Sequence, residues 1–294
     1  MPSMPVLDDF SESQLEYISS CPLCASSSLN RLFDENGFHY DQCMSCGLIS
    51  LNPRIREAFT SEIYDQGSYF SGINTAYTMR IGEKRLRLLQ KLVPEWRGES
   101  LIVEDGAGAG AFLAACRDRG YRFNGCDIGF DAVAIAKRTF NIDLHHGTMD
   151  SLGLSDASCG VIVGFNLLSH LYAPWDYAQH VHRLLTHDGV WLVRTGLRDH
   201  VMKRIRRGHW SAPEHVYHYN RQSFIPIAGK AGFEVSKIVP AFDSDFPYFL
   251  FDYGQSDSSV THRLARRLAS WTTLGWTMPK LPKDDAYILL RKIP

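Results

Sequence analysis

The segment Leu101-Ile-Val-Glu-Asp-Gly-Ala-Gly-Ala-Gly-Ala-Phe-Leu113 constrains this chain more than any other. A short apolar run enters Gly106, Gly108 and Gly110 and then a helix-forming stretch, so a buried strand turns into a helix whose backbone a ligand can touch. The alternation continues downstream. It predicts a helix from Gly110 to Arg119, a strand from Phe123 to Cys126, a helix from Asp131 to Thr139 and a strand at Val161-Ile-Val163. A helical face of Tyr177, Val181, Leu184 and Leu185 then stops at Asp188-Gly189, before a strand from Val190 to Val193. This order predicts an α/β fold with a mostly parallel sheet and helices on both faces. Glu234 to Val239 and Ala286 to Arg291 read as two late antiparallel strands. Upstream, Leu86, Leu88, Leu89 and Leu92 form a helical stripe that ends at Pro94, with Arg85 breaking its spacing.

Twenty-one residues after Gly106, Asp127 closes the second strand, where a carboxylate can accept from both hydroxyls of a ribose. A nucleoside ligand is expected. Gly106-x-Gly108-x-x-Ala111 also meets the loose dinucleotide fingerprint, so two ligand classes fit the glycines. Glu104 and Asp105 discriminate between them: a pyrophosphate at the helix N-terminus would feel their negative charge, whereas a cationic amine would be attracted. S-adenosylmethionine, with an ammonium, a sulfonium and no phosphate, is favoured over NAD.

Cys21, Cys24, Cys43 and Cys46 form two C-x-x-C knuckles whose spacing lets four thiolates converge on one zinc ion. Arg31-Leu-Phe33 and Phe38-His-Tyr40 read as strands around the turn Asp34-Glu-Asn-Gly37, which predicts a zinc ribbon. A disulfide framework is disfavoured by the expected cytosolic context, and a redox pair by the lack of a preceding βαβ pattern. Cys116, Cys126 and Cys159 fall in apolar segments and read as small buried side chains.

Together these elements resemble the class I S-adenosylmethionine-dependent methyltransferases, over most of the chain. The resemblance implies a Rossmann-like sheet and assigns Glu104 to the acid near the methionine amine and Asp127 to the ribose. Gly147-Thr-Met-Asp-Ser-Leu152 resembles the loop after the third strand, where Met149 would flank adenine and Asp150 would accept from its amino group. Gly106, Ala107, Gly108, Gly110, Ile128 and Phe165 complete the implied cofactor set. Val161 to Leu171 resembles the fourth strand and following turn, with Ser169 where the family commonly has Glu before His170. Leu184-Leu-Thr-His-Asp-Gly189 matches the turn into strand five. Cys-Pro-Leu-Cys24, Cys43-x-x-Cys-Gly-Leu48, Asn52-Pro53, Trp210 and Glu214-His-Val-Tyr-His-Tyr-Asn220 resemble bacterial methyltransferases with an N-terminal zinc-binding domain, whose relatives act on sugars and other small metabolites. The implied domains are a zinc ribbon over 1–55, a connecting cap over 56–80 and a methyltransferase domain over 81–294.

If the acceptor is a hydroxyl or an acidic carbon, a base must remove a proton. His170 lies past the fourth strand at the carboxyl end of the sheet and leads the candidates; His215 and His218 follow strand five. Each also has a plain reading as a hydrogen-bonded structural histidine. Tyr217 and Tyr219 read either as acceptor-pocket lining or as core. Asn220 reads as a cap, with Pro226 moving the helix start toward Ser223. Lys203-Arg-Ile-Arg-Arg207 could grip a phosphate or be a solvated helix face, and His262 to Trp271 reads as an amphipathic lid or interface helix.

Thirty-one Lys and Arg stand against 32 Asp and Glu, so bulk charge does not draw the chain onto nucleic acid or anionic lipid. Residues 18–50 hold Arg31 as their only Lys or Arg, which argues against an RNA-modifying alternative that grips RNA through the ribbon. A scaffold without activity is disfavoured by the intact glycines and Asp127. No apolar run approaches the roughly 18 residues of a membrane span, and Met1-Pro-Ser-Met4 lacks the order of a signal peptide. The expectation is a cytoplasmic enzyme with a small-molecule acceptor and no membrane partner, its oligomeric state open.

Overall fold

A computed structural model describes residues 5–60, 74–96, 98–197, 210–241 and 285–293. The front of the chain is built from short strands: β1 (Leu15–Glu16), β2 (Leu29–Glu35), β3 (Phe38–Cys43), β4 (Ile49–Asn52) and β5 (Arg54–Ile55). Asn36 and Gly37, both at positive φ, turn β2 into β3 as the ribbon pattern predicts. Phe38, Tyr40, Ile49 and Leu51 are fully buried and make a small core with Leu15, Ile55 and Trp210.

The helix α1 (Thr75–Leu92) starts eleven residues before Leu86, the first residue of the apolar stripe, because the Asn74 side chain accepts from the Tyr77 N–H at 3.0 Å and fixes the first turn. Leu86 and Leu89 are fully buried under it, each contributing on the order of 1.5–3 kcal/mol. Then come β6 (Leu101–Asp105), α2 (Ala111–Arg117), β7 (Phe123–Asp127), α3 (Phe130–Phe140), β8 (His145–His146), β9 (Cys159–Phe165), α4 (Pro174–Leu184) and β10 (Leu185–Gly196). The last elements are β11 (Tyr217–His218), α5 (Arg221–Lys230), β12 (Phe233–Pro240) and β13 (Asp285–Lys292).

The main sheet has seven strands in the order β12-β13-β10-β9-β6-β7-β8. β6 to β10 run parallel, and β13 pairs antiparallel with both β10 and β12. Every residue of β9 is buried, as its uninterrupted Cys-Gly-Val-Ile-Val-Gly-Phe run requires of a strand covered on both faces. The chain runs outward from β6 through β7 to β8, then returns to place β9 on the other side of β6. The crevice at the carboxyl ends of β6 and β9 is therefore the switch point where open α/β sheets bind ligands. Cys116, Cys126 and Cys159 are all buried.

Two further helix boundaries move from the sequence reading for reasons visible in the local contacts. α4 ends at Leu184, not at Asp188-Gly189, because Leu185 already pairs with Cys159 of β9. α5 begins at Arg221, not near Ser223: Asn220 Oδ1 accepts the Ser223 N–H at 2.9 Å while Ser223 Oγ accepts the Asn220 N–H at 3.1 Å, and this reciprocal cap sets the start two residues ahead. Pro226 is accommodated within the helix. The second sheet, β11-β4-β3-β2, takes its edge strand from the far side of the chain, with Tyr217 opposite Ser50 and His218 opposite Ile49. Both basic stretches, Lys203 to Arg207 and His262 to Trp271, lie outside the described residues, as do residues 61–73 of the expected cap.

Candidate active site

β6 delivers the glycine loop to the switch point. Gly106, Gly108 and Gly110 all take positive φ, +67°, +54° and +75°, which any other residue would adopt only with strain. Asp127, at the end of β7, closes the loop from the opposite side. Its Oδ2 accepts the Gly108 N–H at 2.7 Å and its Oδ1 the Gly129 N–H at 2.8 Å. Each oxygen retains acceptor capacity toward a ligand hydroxyl. Burial pushes the Asp127 carboxyl up, and the two N–H groups oppose that push.

Glu104 carries the strongest electrostatic signal. It is 2 % exposed, and its Oε2 has no hydrogen-bond partner among the described residues. Burial pushes its carboxyl up to about 8; Arg85 opposes this, while Asp127 and Asp105 add to it. A buried carboxylate oxygen without a partner is costly unless a cation or donor is brought to it. Asp105 beside it accepts from the Cys126 thiol at 3.1 Å.

These groups line one cavity of about 880 Å³, the size of a small-molecule or cofactor pocket. Glu104, Gly106, Ala107, Gly108, Asp127, Ile128, Met149, Asp150, Phe165 and His170 all border it. Met149 is buried, Ile128 is half-exposed, and the Asp150 carboxylate pairs with His180 Nδ1. Gly110 does not border the cavity. A Cβ there would lie 3.2 Å from the Ala136 Cβ and 3.3 Å from Ile142, so this glycine serves helix packing behind the loop.

The three histidines separate. His170 borders the cavity, and burial lowers its imidazole to about 4 against a hydrogen bond with the Glu214 backbone, so the ring is neutral at pH 7. His215 and His218 are not among the cavity's lining residues. The His215 ring meets His170 edge-on at 4.6 Å. His218 is buried in the front core, its Nε2 3.0 Å from the Trp210 carbonyl and its ring against Tyr40 and Trp210. β11 sends it there by pairing with β4. Tyr217 and Tyr219 are likewise core: the Tyr217 hydroxyl receives Arg54 at 2.6 Å, and the Tyr219 hydroxyl donates to the Leu168 carbonyl at 2.8 Å. Glu57 and Tyr77, which also border the cavity, fall in the 54–80 segment that the sequence reading expects to shape an acceptor pocket, whereas Arg85, Tyr172 and Arg194 border it without having been singled out. Of these three, Arg85 left a signal, as the charge interrupting an apolar helical stripe.

At the front, the four sulfur atoms of Cys21, Cys24, Cys43 and Cys46 lie within 4.8 Å of one another. Cys21 and Cys46 are 3.5 Å apart and Cys24 and Cys43 3.6 Å, against about 3.8 Å for sulfurs around a tetrahedral zinc. The donor set suits that ion. The second knuckle is anchored to the α5 cap, since Asn220 Nδ2 donates to the Gly47 carbonyl at 2.9 Å.

The fold and glycine loop define a Rossmann-like domain of the methyltransferase type, and the family profile described as "Methyltransferase domain" matches residues 77–238. The chain belongs to this family. It is 32% identical over 145 residues to a Mycolicibacterium smegmatis protein named "Probable S-adenosylmethionine-dependent methyltransferase", covering 48% of this chain and 54% of that protein. The chain thus spans about half the length of this curated relative. Its fold is shared with the Burkholderia thailandensis 1,6-didemethyltoxoflavin-N1-methyltransferase, solved with 1,6-didemethyltoxoflavin and S-adenosylhomocysteine bound. That likeness has a TM-score of 0.50 at 13% identity and covers 90% of this chain and 100% of that one. Among the described residues no helix is long and apolar enough to cross a membrane.

Proposed function

We propose that this chain transfers a methyl group from S-adenosylmethionine to a small-molecule acceptor, such as a sugar, a sugar nucleotide or a natural-product-like metabolite. The observation that carries the reading is the unpartnered Glu104 Oε2 buried beside Asp127 and the glycine loop. S-adenosylmethionine supplies an electrophilic methyl on a sulfonium, and its ammonium is a donor for the Glu104 oxygen left without a hydrogen bond. A diphosphate would instead meet Glu104, Asp105 and Asp127 with like charge. Asp127 holds the ribose, Met149 flanks adenine and Asp150 accepts from its amino group. Methyl transfer is an in-line displacement, so the cavity wall has mainly to align the acceptor and keep water out. His170, neutral and facing the cavity, takes a proton from a hydroxyl or acidic carbon as the acceptor attacks.

The four front cysteines hold a structural zinc. Through Gly47 and Asn220, and through β11, that knuckle braces the 210–220 segment which packs His215 against His170. RNA is disfavoured as acceptor because Arg31, the only Lys or Arg of residues 18–50, is already engaged by Asp34 at 2.6 Å. Calorimetry with S-adenosylhomocysteine and with NAD tests the reading: heat with the first alone is expected, and heat with NAD alone, or with neither, ends it.

A further inference from the structure

A chain of hydrogen bonds leads from the front strands to the cavity. Glu35, the last residue of β2, accepts the Trp210 N–H and the Ala212 N–H, each at 3.0 Å. The next residue, Asn36, donates its Nδ2 to the Ala212 carbonyl at 2.8 Å. These bonds hold a turn that needs support, because Ser211 stands at φ +66°, a conformation uncommon outside glycine. A planar trans peptide points its N–H and its C=O in opposite directions. With the Ala212 N–H turned to Glu35, the Ser211 carbonyl of the same peptide unit faces the other way, where it accepts the His215 N–H at 2.9 Å. The Glu214 carbonyl shares that second unit and is aimed in its turn at His170. Tyr40, buried in the front core, donates its hydroxyl to the His215 carbonyl at 3.0 Å and so fixes the unit that follows.

His170 needs such a partner. A ring that removes a proton must present an unprotonated nitrogen to the substrate, and only one of the two neutral tautomers does so at a given position. Burial lowers the His170 imidazole to about 4, and its bond with the Glu214 backbone pushes the other way, as a ring N–H donated to a carbonyl must. The nitrogen bonded to Glu214 therefore carries the proton, and the other carries the lone pair. We propose that Glu35 and Tyr40 are positioning residues for His170: they hold the peptide units around Glu214, whose carbonyl fixes which ring nitrogen can take a proton. Bonds in series polarise one another, so the Glu35 carboxylate also makes that carbonyl a stronger acceptor. Neither Glu35 nor Tyr40 borders the cavity. The assignment rests on the base role given to His170 above, and it places the support of that base outside the seven-stranded sheet.

The test is NMR of the imidazole nitrogens in the full chain at neutral pH, with S-adenosylhomocysteine affinity measured in parallel by calorimetry. The His170 signals are assigned by difference from His170→Gln. In the unaltered protein one ring nitrogen should show the protonated shift and the other the unprotonated shift, with one tautomer at least about tenfold in excess. Glu35→Gln and Tyr40→Phe should each bring that excess below about threefold, while S-adenosylhomocysteine binds within about twofold of its original affinity. A pair of averaged signals in the unaltered protein overturns the assignment, and that result needs no variant to fold. A variant that keeps the original signals removes its residue from the assignment; if both keep them, the assignment falls. Loss of S-adenosylhomocysteine affinity in step with the spectral change would make the two residues supports of the whole chain, which also overturns it. The base role fails separately, if His170→Gln turns over as fast as the unaltered protein.

Discussion

The two ends of the cavity are built in different ways. The donor end draws Glu104, the glycines and Asp127 from two neighbouring parallel strands and the turns that follow them, so backbone geometry alone brings them together. The part of the lining proposed for the acceptor gathers Glu57 from the front of the chain, Tyr77 from α1, and His170 and Tyr172 from the turn after β9. It is tied together by side chains: Tyr172 donates to the Ile55 carbonyl, Arg54 stacks on the Tyr172 ring at 4.8 Å, and Glu35 accepts the N–H groups of Trp210 and Ala212 at 3.0 Å. A site made by adjacent strands tolerates change elsewhere. A site assembled by long-range side-chain contacts depends on the front unit keeping its shape.

This contrast is open to attack at several points. The largest effect is expected from treating the protein with a strong chelator to strip the proposed zinc, because structural zinc in small domains is worth on the order of 10 kcal/mol or more. Tryptophan emission should shift as the support of Trp210 is lost, while S-adenosylhomocysteine affinity stays within about threefold; a parallel collapse of that affinity would show that the two ends are one cooperative unit. Next, His170→Gln should lower kcat by about 10²- to 10⁴-fold with donor affinity nearly unchanged. Turnover at the original level would take the base role from His170. Because its ring stays neutral above about pH 5, protonation of His170 should leave no limb in the rate profile between pH 6 and 8.

Asp127→Ala should weaken S-adenosylhomocysteine by about 100-fold or more through the lost ribose contacts, without lowering thermal stability in proportion. The smallest effect, and a sharper one, concerns Glu104→Gln. Its carboxyl sits near 8 when folded, above the ordinary carboxylate value, so the folded chain binds the extra proton and the stability that proton gives is lost as pH rises from about 4.5 through 8. Glutamine removes that cost. The variant's Tm without donor should therefore exceed that of the unaltered chain at pH 8, while its donor affinity is lower. A variant less stable at pH 8 would mean that Glu104 is satisfied within the protein.

The donor end was legible because strand, turn and acid lie close together in sequence and their spacing is dictated by a parallel sheet. Gly110 shows the limit of that reading: a glycine required by packing against Ala136 and Ile142 looks the same in sequence as one required by a ligand. The acceptor end was largely hidden. β11 is two residues long, too short to leave a period, yet its pairing with Ile49 and Ser50 buries His218 in the front core and takes it away from the cavity. Arg85 was visible only as an irregularity, since nothing local announces that a charge on a helix stripe will meet Phe165 and Glu104 from another layer.

In the proposed function, the acids at the switch point receive a cationic adenosyl donor. Calorimetric titration with S-adenosylhomocysteine at several pH values, in buffers of different ionisation enthalpy, tests it most directly. Glu104 faces Arg85, Asp105, Asp127 and the Cys116 thiol, and it must ionise to meet the ammonium. Binding should release a proton below pH 8, and affinity should climb by up to about tenfold per pH unit from 6 to 8 before levelling off. Binding with no proton release and no pH dependence over that range would contradict the account.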